Sequence, residues 1–336
     1  MSRAQLTSTV EQNTGGAVSP YVAGKNKIIN GDMGIWQRGT SISYTGSASL
    51  SYSADRFYHY SNGNGAWTFS QQVLTPGSIT GYDSPYFARA SLPSAGTTTA
   101  LNWGQRIENV QTLANQTVTI SFWAKTDSAR SLNWTFEQNF GSGGSSTVAT
   151  ASSNFNVSTS WTRYSIVVTL PSISGKTVGA SSFLGVYVNG GAVTSGFVLD
   201  LWGVQVEAGS VATPFTTATG TLSGELQACQ RYYWRNTAPS SSTQMTPYGS
   251  CYSTTVMRTY VPFPVTMRTS PSAVEYSGLQ TYDLSAFQTI NTLDFNNANT
   301  NGALISGNVT SGLTQFRPAN IYSNASTSYI GFSAEL

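Results

Sequence analysis

Charge is what this sequence has least of. Asp, Glu, Lys and Arg together make up 9% of its 336 residues, against roughly a quarter in an ordinary soluble domain. Lysine occurs only at Lys25, Lys27, Lys125 and Lys176, and the formal net charge is +2. A nucleic-acid protein normally carries a basic stripe that neutralises phosphates; no such run exists, so nucleic acid is not an expected partner. Histidine occurs once, at His59, and cysteine twice, at Cys229 and Cys251. The two cysteines lack metal spacing and suit a reducing compartment, though a bridge between them stays open. There is no apolar run long enough for a membrane helix, and the first twenty residues lack the apolar core of a secretory signal. The expectation is a protein made in the cytoplasm and carried out only by something larger.

What fills the chain instead is aromatic and small polar residues. Aromatics reach 12%, with 32 glycines, and Ser, Thr and Asn take much of the rest. Disordered chains have few aromatics and high net charge, so this composition predicts order. Tyr, Trp, Phe, Val and Thr punctuated by Gly and Asn predict short strands and tight turns. The surface must then be covered by hydroxyls and amides. That fits two readings, a face for sugar hydroxyls or a plain solvated β exterior.

The chain divides into four stretches. Residues 1–24 hold few apolar side chains and read as an extended arm, either a solvated tail or a segment that docks on a neighbouring subunit. Residues 25–217 carry strand-like runs at 54–60, 66–73, 86–90, 117–125, 131–140, 161–170, 183–189 and 197–207. In TVTISFWAK, Val118, Ile120, Phe122 and Ala124 face one way and Trp123 and Lys125 the other. Many strands without intervening helices predict an all-β sandwich or jelly roll. Residues 218–235 read as one linking helix, with Leu222, Leu226, Cys229 and Tyr233 at helical spacing, Ser223 as its cap, and Leu226 and Tyr233 buried between two domains. Residues 236–336 read as a smaller β-sandwich in which Pro262, Pro264 and Pro271 mark edges or bends.

Catalytic groups that could converge are scarce. His59 lies inside the strand ADRFYHYS, and no Gly-x-Ser-x-Gly surrounds any serine, so a hydrolytic triad is not expected. Paired carboxylates that cut polysaccharide would need two of a small set, among them Asp55, Asp83, Glu108, Asp127, Glu137, Asp200 and Glu207. The expectation is a protein that is not an enzyme. No phosphate loop, dinucleotide fingerprint, zinc spacing or EF-hand loop is present. Asp32, after the Asn30-Gly31 turn, and Asp200 are candidate ligands for a structural Ca²⁺; the alternative is two aspartates hydrogen-bonded to backbone. No other cofactor is expected.

A family likeness rests on the order of several segments. The first domain opens NKIINGDMGIWQRG, continues SADRFYHY and QRIENV, reaches QTVTISFWAKTD and closes FVLDLWGVQVEAGSVATPF, followed by ELQACQRYYW. That order resembles phage and prophage tail-fibre or virion structural proteins whose jelly rolls are like the carbohydrate-binding modules of family 4. The resemblance implies a jelly roll, a helix leading to a small C-terminal β domain, and a place in the virion. It gives Trp36, Trp202 and Phe215 as packing residues. In such modules, aromatic platforms with flanking amides and carboxylates read the sugar. On outward strand positions the candidates are Trp123 with Lys125, Asn133 with Glu137, and Tyr187 with Asn189.

The function expected from this is a tail-fibre or receptor-binding subunit, a homotrimer that binds host cell-surface polysaccharide and attaches to other virion proteins through its arm. The alternative is a capsid decoration or head-fibre protein without a ligand. A polysaccharide depolymerase ranks below both. Specificity would lie in the polar loops 61–66, 141–146 and 237–248.

Overall fold

The computed structural model describes residues 23–45, 50–63, 65–93, 98–191, 193 and 196–336. The expected arm at 1–24 therefore lies almost wholly outside the described residues. The chain falls into two compact units, Met1–Glu225 and Leu226–Leu336, each built of β-sheet.

The first unit is a two-sheet sandwich. One sheet holds β1 (Ser41–Thr45), β4 (Ala66–Val73), β5 (Tyr86–Leu92), β7 (Thr117–Thr126), β11 (Thr162–Thr169) and β13 (Phe197–Ala208), in the order β1-β4-β5-β13-β7-β11. The other holds β2 (Ser51–Tyr52), β3 (Phe57–Gly63), β6 (Thr98–Glu108), β8 (Arg130–Asn139), β9 (Val148–Ala151), β10 (Phe155–Val157) and β12 (Phe183–Asn189). Its order is β10-β8-β12-β6-β3-β2, with β9 also on β8. All pairings are antiparallel, which lets alternate residues face the core. Val118, Ile120, Phe122 and Ala124 do so on β7, and meet Trp134 and Phe136 of β8 and Leu184, Val186 and Val188 of β12 in one buried cluster.

Two features of this sandwich follow from single residues. Gly203 has φ +64°, and a Cβ there would press on the Trp123 ring. It sits in a β-bulge between Trp202 and Gln205. The bulge flips the alternation, so Leu199 and Leu201 before it and Val204 and Val206 after it all point into the core. At the start of the unit, Asn30 takes φ +58°, which asparagine tolerates better than most residues. Its amide donates to the Ile35 and Asp55 carbonyls, and its Oδ1 accepts from the Ile35 amide. Gly31 packs against the Val204 carbonyl with no room for a side chain. The Asn-Gly-Asp turn is therefore a fold staple.

The helix is shorter than its spacing predicts. The helix α1 runs Leu222–Gln230, and the next residues form strand β14 (Tyr233–Thr237). Thr221 caps it rather than Ser223, its hydroxyl accepting from the Gly224 amide at 3.1 Å. Leu226 is 38% exposed, so it is not the buried joint that the spacing suggested. Tyr233 is buried inside the second unit, its hydroxyl donating to Glu275 at 2.9 Å.

The second unit has two sheets around its own core. The smaller joins β14 and β17 (Val274–Ser277) to β23 (Tyr329–Ser333). The larger comprises β15 (Gly249–Cys251), β16 (Val256–Pro262), β18 (Leu279–Tyr282), β19 (Phe287–Thr289), β20 (Thr292–Asn299), β21 (Gly302–Asn308) and β22 (Pro318–Ser323), in the order β19-β18-β22-β15-β16-β21-β20. Met257, Ile305, Ile321 and Phe332 lie at its centre. Cys229 and Cys251 are both free and buried, and do not form the bridge that the sequence left open.

Candidate functional site

The outer face of the β12-containing sheet gathers the polar and aromatic side chains that a binding surface needs. Register fixes the arrangement. Because Leu184, Val186 and Val188 of β12 point inward, Tyr187 and Asn189 point outward. Asn189 pairs with Asn102 of β6 on one side and Asn133 of β8 on the other, and Asn102 pairs with Tyr60 of β3. This makes one row of three amides ending in a tyrosine. In the next row Tyr187 pairs with Gly104 and Thr135, and Gly104 pairs with Tyr58, which pairs with Tyr52. In the third, Gly185 stands between Arg106 and Glu137.

The two glycines shape this face. Gly104 leaves its place empty, so Tyr58 and Tyr187 approach across it with ring centroids 6.3 Å apart, edge to face. Any side chain at Gly104 would strike the Val186 carbonyl and the Tyr187 backbone. Arg106 spreads over the Phe183 ring at 4.5 Å and the Tyr58 ring at 5.3 Å. Burial pushes the Tyr58 phenol well above its ordinary pKa, with Glu137 adding to the effect. Burial likewise raises Tyr187, again with Glu137 contributing. Both hydroxyls therefore stay protonated across physiological pH. Tyr58 and Tyr187 are only 5% and 9% exposed, so the rings act as packed walls rather than open platforms.

The amide row leaves two of its own acceptors unmet, as several buried polar atoms elsewhere in the chain are. The Oδ1 atoms of Asn102 and Asn133 are buried and accept no hydrogen bond. A buried carbonyl without a donor costs about 1–3 kcal/mol, and native structures hold few of them. Here two flank Asn189 on one row, next to the tyrosines.

Four of the six residues proposed from sequence thus come together: Asn133, Glu137, Tyr187 and Asn189 lie on neighbouring strands of one face. The other pair does not join them. Trp123 and Lys125 belong to β7 in the opposite sheet. Trp123 is 7% exposed, packed with Tyr82, Trp202 and Phe215 in a small apolar cluster that also holds Leu74, Ile79 and Phe87. It points away from the main core, as its alternation predicts, but residues 74–82 and Phe215 cover it, so it is no sugar platform. Lys125 pairs with Asp200 at 3.6 Å and lies over the Trp161 ring at 5.3 Å. Sequence reading missed Tyr58, Tyr60, Asn102 and Arg106; the alternation of Leu101, Trp103 and Ile107 in β6 was the available signal.

The two candidate calcium ligands each have other charged neighbours. Asp200 holds Arg89 through both oxygens at 2.6 and 2.8 Å, beside Lys125, so its charge is already matched by two cations. Burial raises the pKa of Asp32, and the carboxylate acting on it is Glu225, not Asp200. Glu225 itself accepts from the Asn30 amide, the Thr219 amide and the Thr219 hydroxyl. Among the described residues no group of three or more His, Cys, Asp or Glu converges as a metal site. His59 is sealed in the core, stacked on Phe69.

No family model matches the chain, and no curated protein matches it. Among solved structures it is similar to the enzymatically active domain of tailspike protein 4 of bacteriophage CBA120, at 16% identity and a TM-score of 0.34 over 57% of this chain. The aligned part spans 22% of that protein. It is also similar to a CBM4 carbohydrate-binding module, at 17% identity and a TM-score of 0.31 over 54% of this chain and 98% of the module. The CBM22-1 xylan-binding domain of Paenibacillus barcinonensis Xyn10C gives 14% and 0.31, over 51% of this chain and 95% of that domain. The fold itself, read from its own strands, is an all-β sandwich.

Proposed function

We propose that the first unit is a glycan-binding jelly roll, and that the chain is a phage virion protein of the tail-fibre or receptor-binding kind that attaches to host surface polysaccharide. The observation that carries the binding reading is the amide row itself, with Asn102, Asn189 and Asn133 side by side on one outer face and Tyr60 at its end. Side-chain amides both donate and accept, which suits the paired donor and acceptor character of sugar hydroxyls. Tyr60 ends the row, and Arg106 and Glu137, beyond the tyrosines on the same face, add further polar groups. The virion reading is supported by the closing strand FVLDLWGVQVEAGSVATPF and the ELQACQRYYW that follows it.

The reading is one of binding without catalysis. Glu137 faces Arg106 across Gly185 rather than a second acid, and paired carboxylates are what glycoside hydrolysis requires. Weak single-site affinity is compatible with the role, because several copies on one particle multiply it. The test is binding of labelled full-length protein to a bacterial polysaccharide array, beside the double variant Asn102→Ala/Asn133→Ala. Loss of binding in a folded double variant is expected. Equal binding by both would refute the amide site. Binding to no glycan, with association to purified virions, would make the chain a structural subunit instead.

A further inference from the structure

The second unit carries a different small site, and it stands whether or not the first unit binds glycans. An open pocket of about 180 Å³ lies on the outer face of the larger sheet, lined by Tyr260, Asn297, Ala298, Asn299, Gly302 and Leu304. Tyr260 of β16 pairs with Leu304 of β21, which pairs with Asn297 of β20. One step along, Pro262, Gly302 and Asn299 form the next row.

Three local features build it. The first is a β-bulge between Phe295 and Asn297. Leu293 is buried and Phe295 packs on the core. Without the extra residue, period-two alternation would turn Asn297 to that same inner side. The bulge re-aims Asn297 and Asn299 outward, onto the face that Tyr260 and Leu304 share, which is a known use of bulges beside functional sites. The second is Gly302. A Cβ there would overlap the Tyr260 ring at its hydroxyl end, so the glycine makes room for the phenol against β21. The ring is 46% exposed. A tyrosine this exposed in the lining of an open pocket offers ring surface for stacking rather than core packing. The third is the way the amides are used. Asn297 Oδ1 accepts from the Ala298 amide at 2.8 Å, and Asn299 Oδ1 accepts from the Asn301 and Gly302 amides at 2.7 and 3.1 Å. Each oxygen is fixed by its own turn, which orients the side chain and leaves Nδ2 as the donor for a ligand.

The pocket therefore offers one aromatic face, two oriented amide donors and an apolar wall from Leu304, with no charged residue in its lining. We infer that this pocket binds a single neutral pyranose residue, its C–H face on Tyr260 and its hydroxyl oxygens accepting from Asn297 and Asn299. The absence of a charged wall selects against uronic or sialic acids. The size admits one ring, so the site reads a terminal or side-branch sugar rather than a run of chain.

The test uses full-length protein and saturation-transfer-difference NMR with four probes, the methyl glycosides of glucose, galactose, mannose and N-acetylglucosamine. It is run in the Asn102→Ala/Asn133→Ala background, so that the first unit's amide row contributes nothing. Transfer to the ring C–H protons of at least one probe is expected. Adding Tyr260→Ala should weaken affinity by about tenfold or more, and adding Asn297→Ala, an exposed position, by a smaller factor without lowering Tm. Transfer that persists unchanged in both variants, or no transfer from any probe, overturns the inference. Adenosine is run beside the four probes as a non-sugar-selective aromatic control, and stronger transfer to it than to every glycoside overturns the assignment to a pyranose.

Discussion

The imidazole of His59 lies flat on the ring of Phe69, with centroids 3.9 Å apart and planes 15° from parallel, while the Tyr44 ring meets it edge-on at 4.8 Å. Neither ring nitrogen of His59 has a hydrogen-bond partner, and the side chain is wholly buried. The single histidine is thus a polar residue used as an aromatic spacer. Burial lowers its pKa from 6.5 to about 3.

That shift gives acid sensitivity with a definite sign. Above pH 6.5 folded and unfolded chains both carry neutral imidazole, and stability does not depend on it. Between pH 6.5 and about 3 only the unfolded chain takes up the proton. Stability then falls as pH falls, by about 1.4 kcal/mol per unit from this residue. His59→Leu removes two unpaired nitrogens and this slope. We expect a higher Tm at pH 7 and a larger gain at pH 5, by calorimetry. An equal Tm difference at both pH values would refute the assignment.

Asn102 and Asn133 should show the opposite separation of stability from function. Each buries an acceptor with no donor, so replacing it with alanine removes a polar group that folding leaves unsatisfied. The double variant is expected to keep or slightly raise its Tm, within about 1 kcal/mol of wild type, while losing polysaccharide binding. Melting curves and array binding on the same preparations check this. A large fall in Tm would mean that the amides hold the sheet together.

How much of this was readable from sequence depended on where the covering residues come from. Alternation in TVTISFWAK gave the inward face of β7 correctly, because side-chain direction is a local property. Whether an outward residue meets water is not local. Trp123 is covered by Tyr82 and Phe215, some 40 and 90 positions away along the chain. The β6 strand escaped because Gly104 and the inward-facing polar Gln105 interrupt its apolar pattern; with it went Asn102 and Arg106. The helix was read too long for a similar reason. Tyr233 keeps helical spacing from Cys229, yet pairing with Ser333 pulls it into a strand, and tertiary context overrides propensity.

Gly104 carries a structural prediction of its own. Its neighbours across the strand gap are backbone atoms of Val186 and Tyr187, which cannot rotate away as a flexible side chain would. Gly104→Ala should force β6 and β12 apart, at a cost of about 1–3 kcal/mol, and separate the Tyr58 and Tyr187 rings. The Tm should drop by several degrees, with a changed near-ultraviolet circular dichroism signal from the tyrosines. An unchanged Tm would show that β6 and β12 leave room for a methyl group at position 104.

Asp200 separates the calcium expectation from the ion-pair account. Its buried carboxylate meets Arg89 and Lys125, whose side chains are about a third exposed. The hydrogen bond to Asp200 is the main reason the Arg89 pKa is raised. Solvent screens the two cations, so Asp200→Asn should cost less than the loss of a fully buried pair, about 1–2 kcal/mol. A calcium site would instead make the wild-type protein sensitive to chelation. The expected result is a lower Tm for Asp200→Asn and no effect of EDTA on wild type. A Tm lowered by EDTA to the level of the variant, and restored by added Ca²⁺, would return Asp200 to a metal.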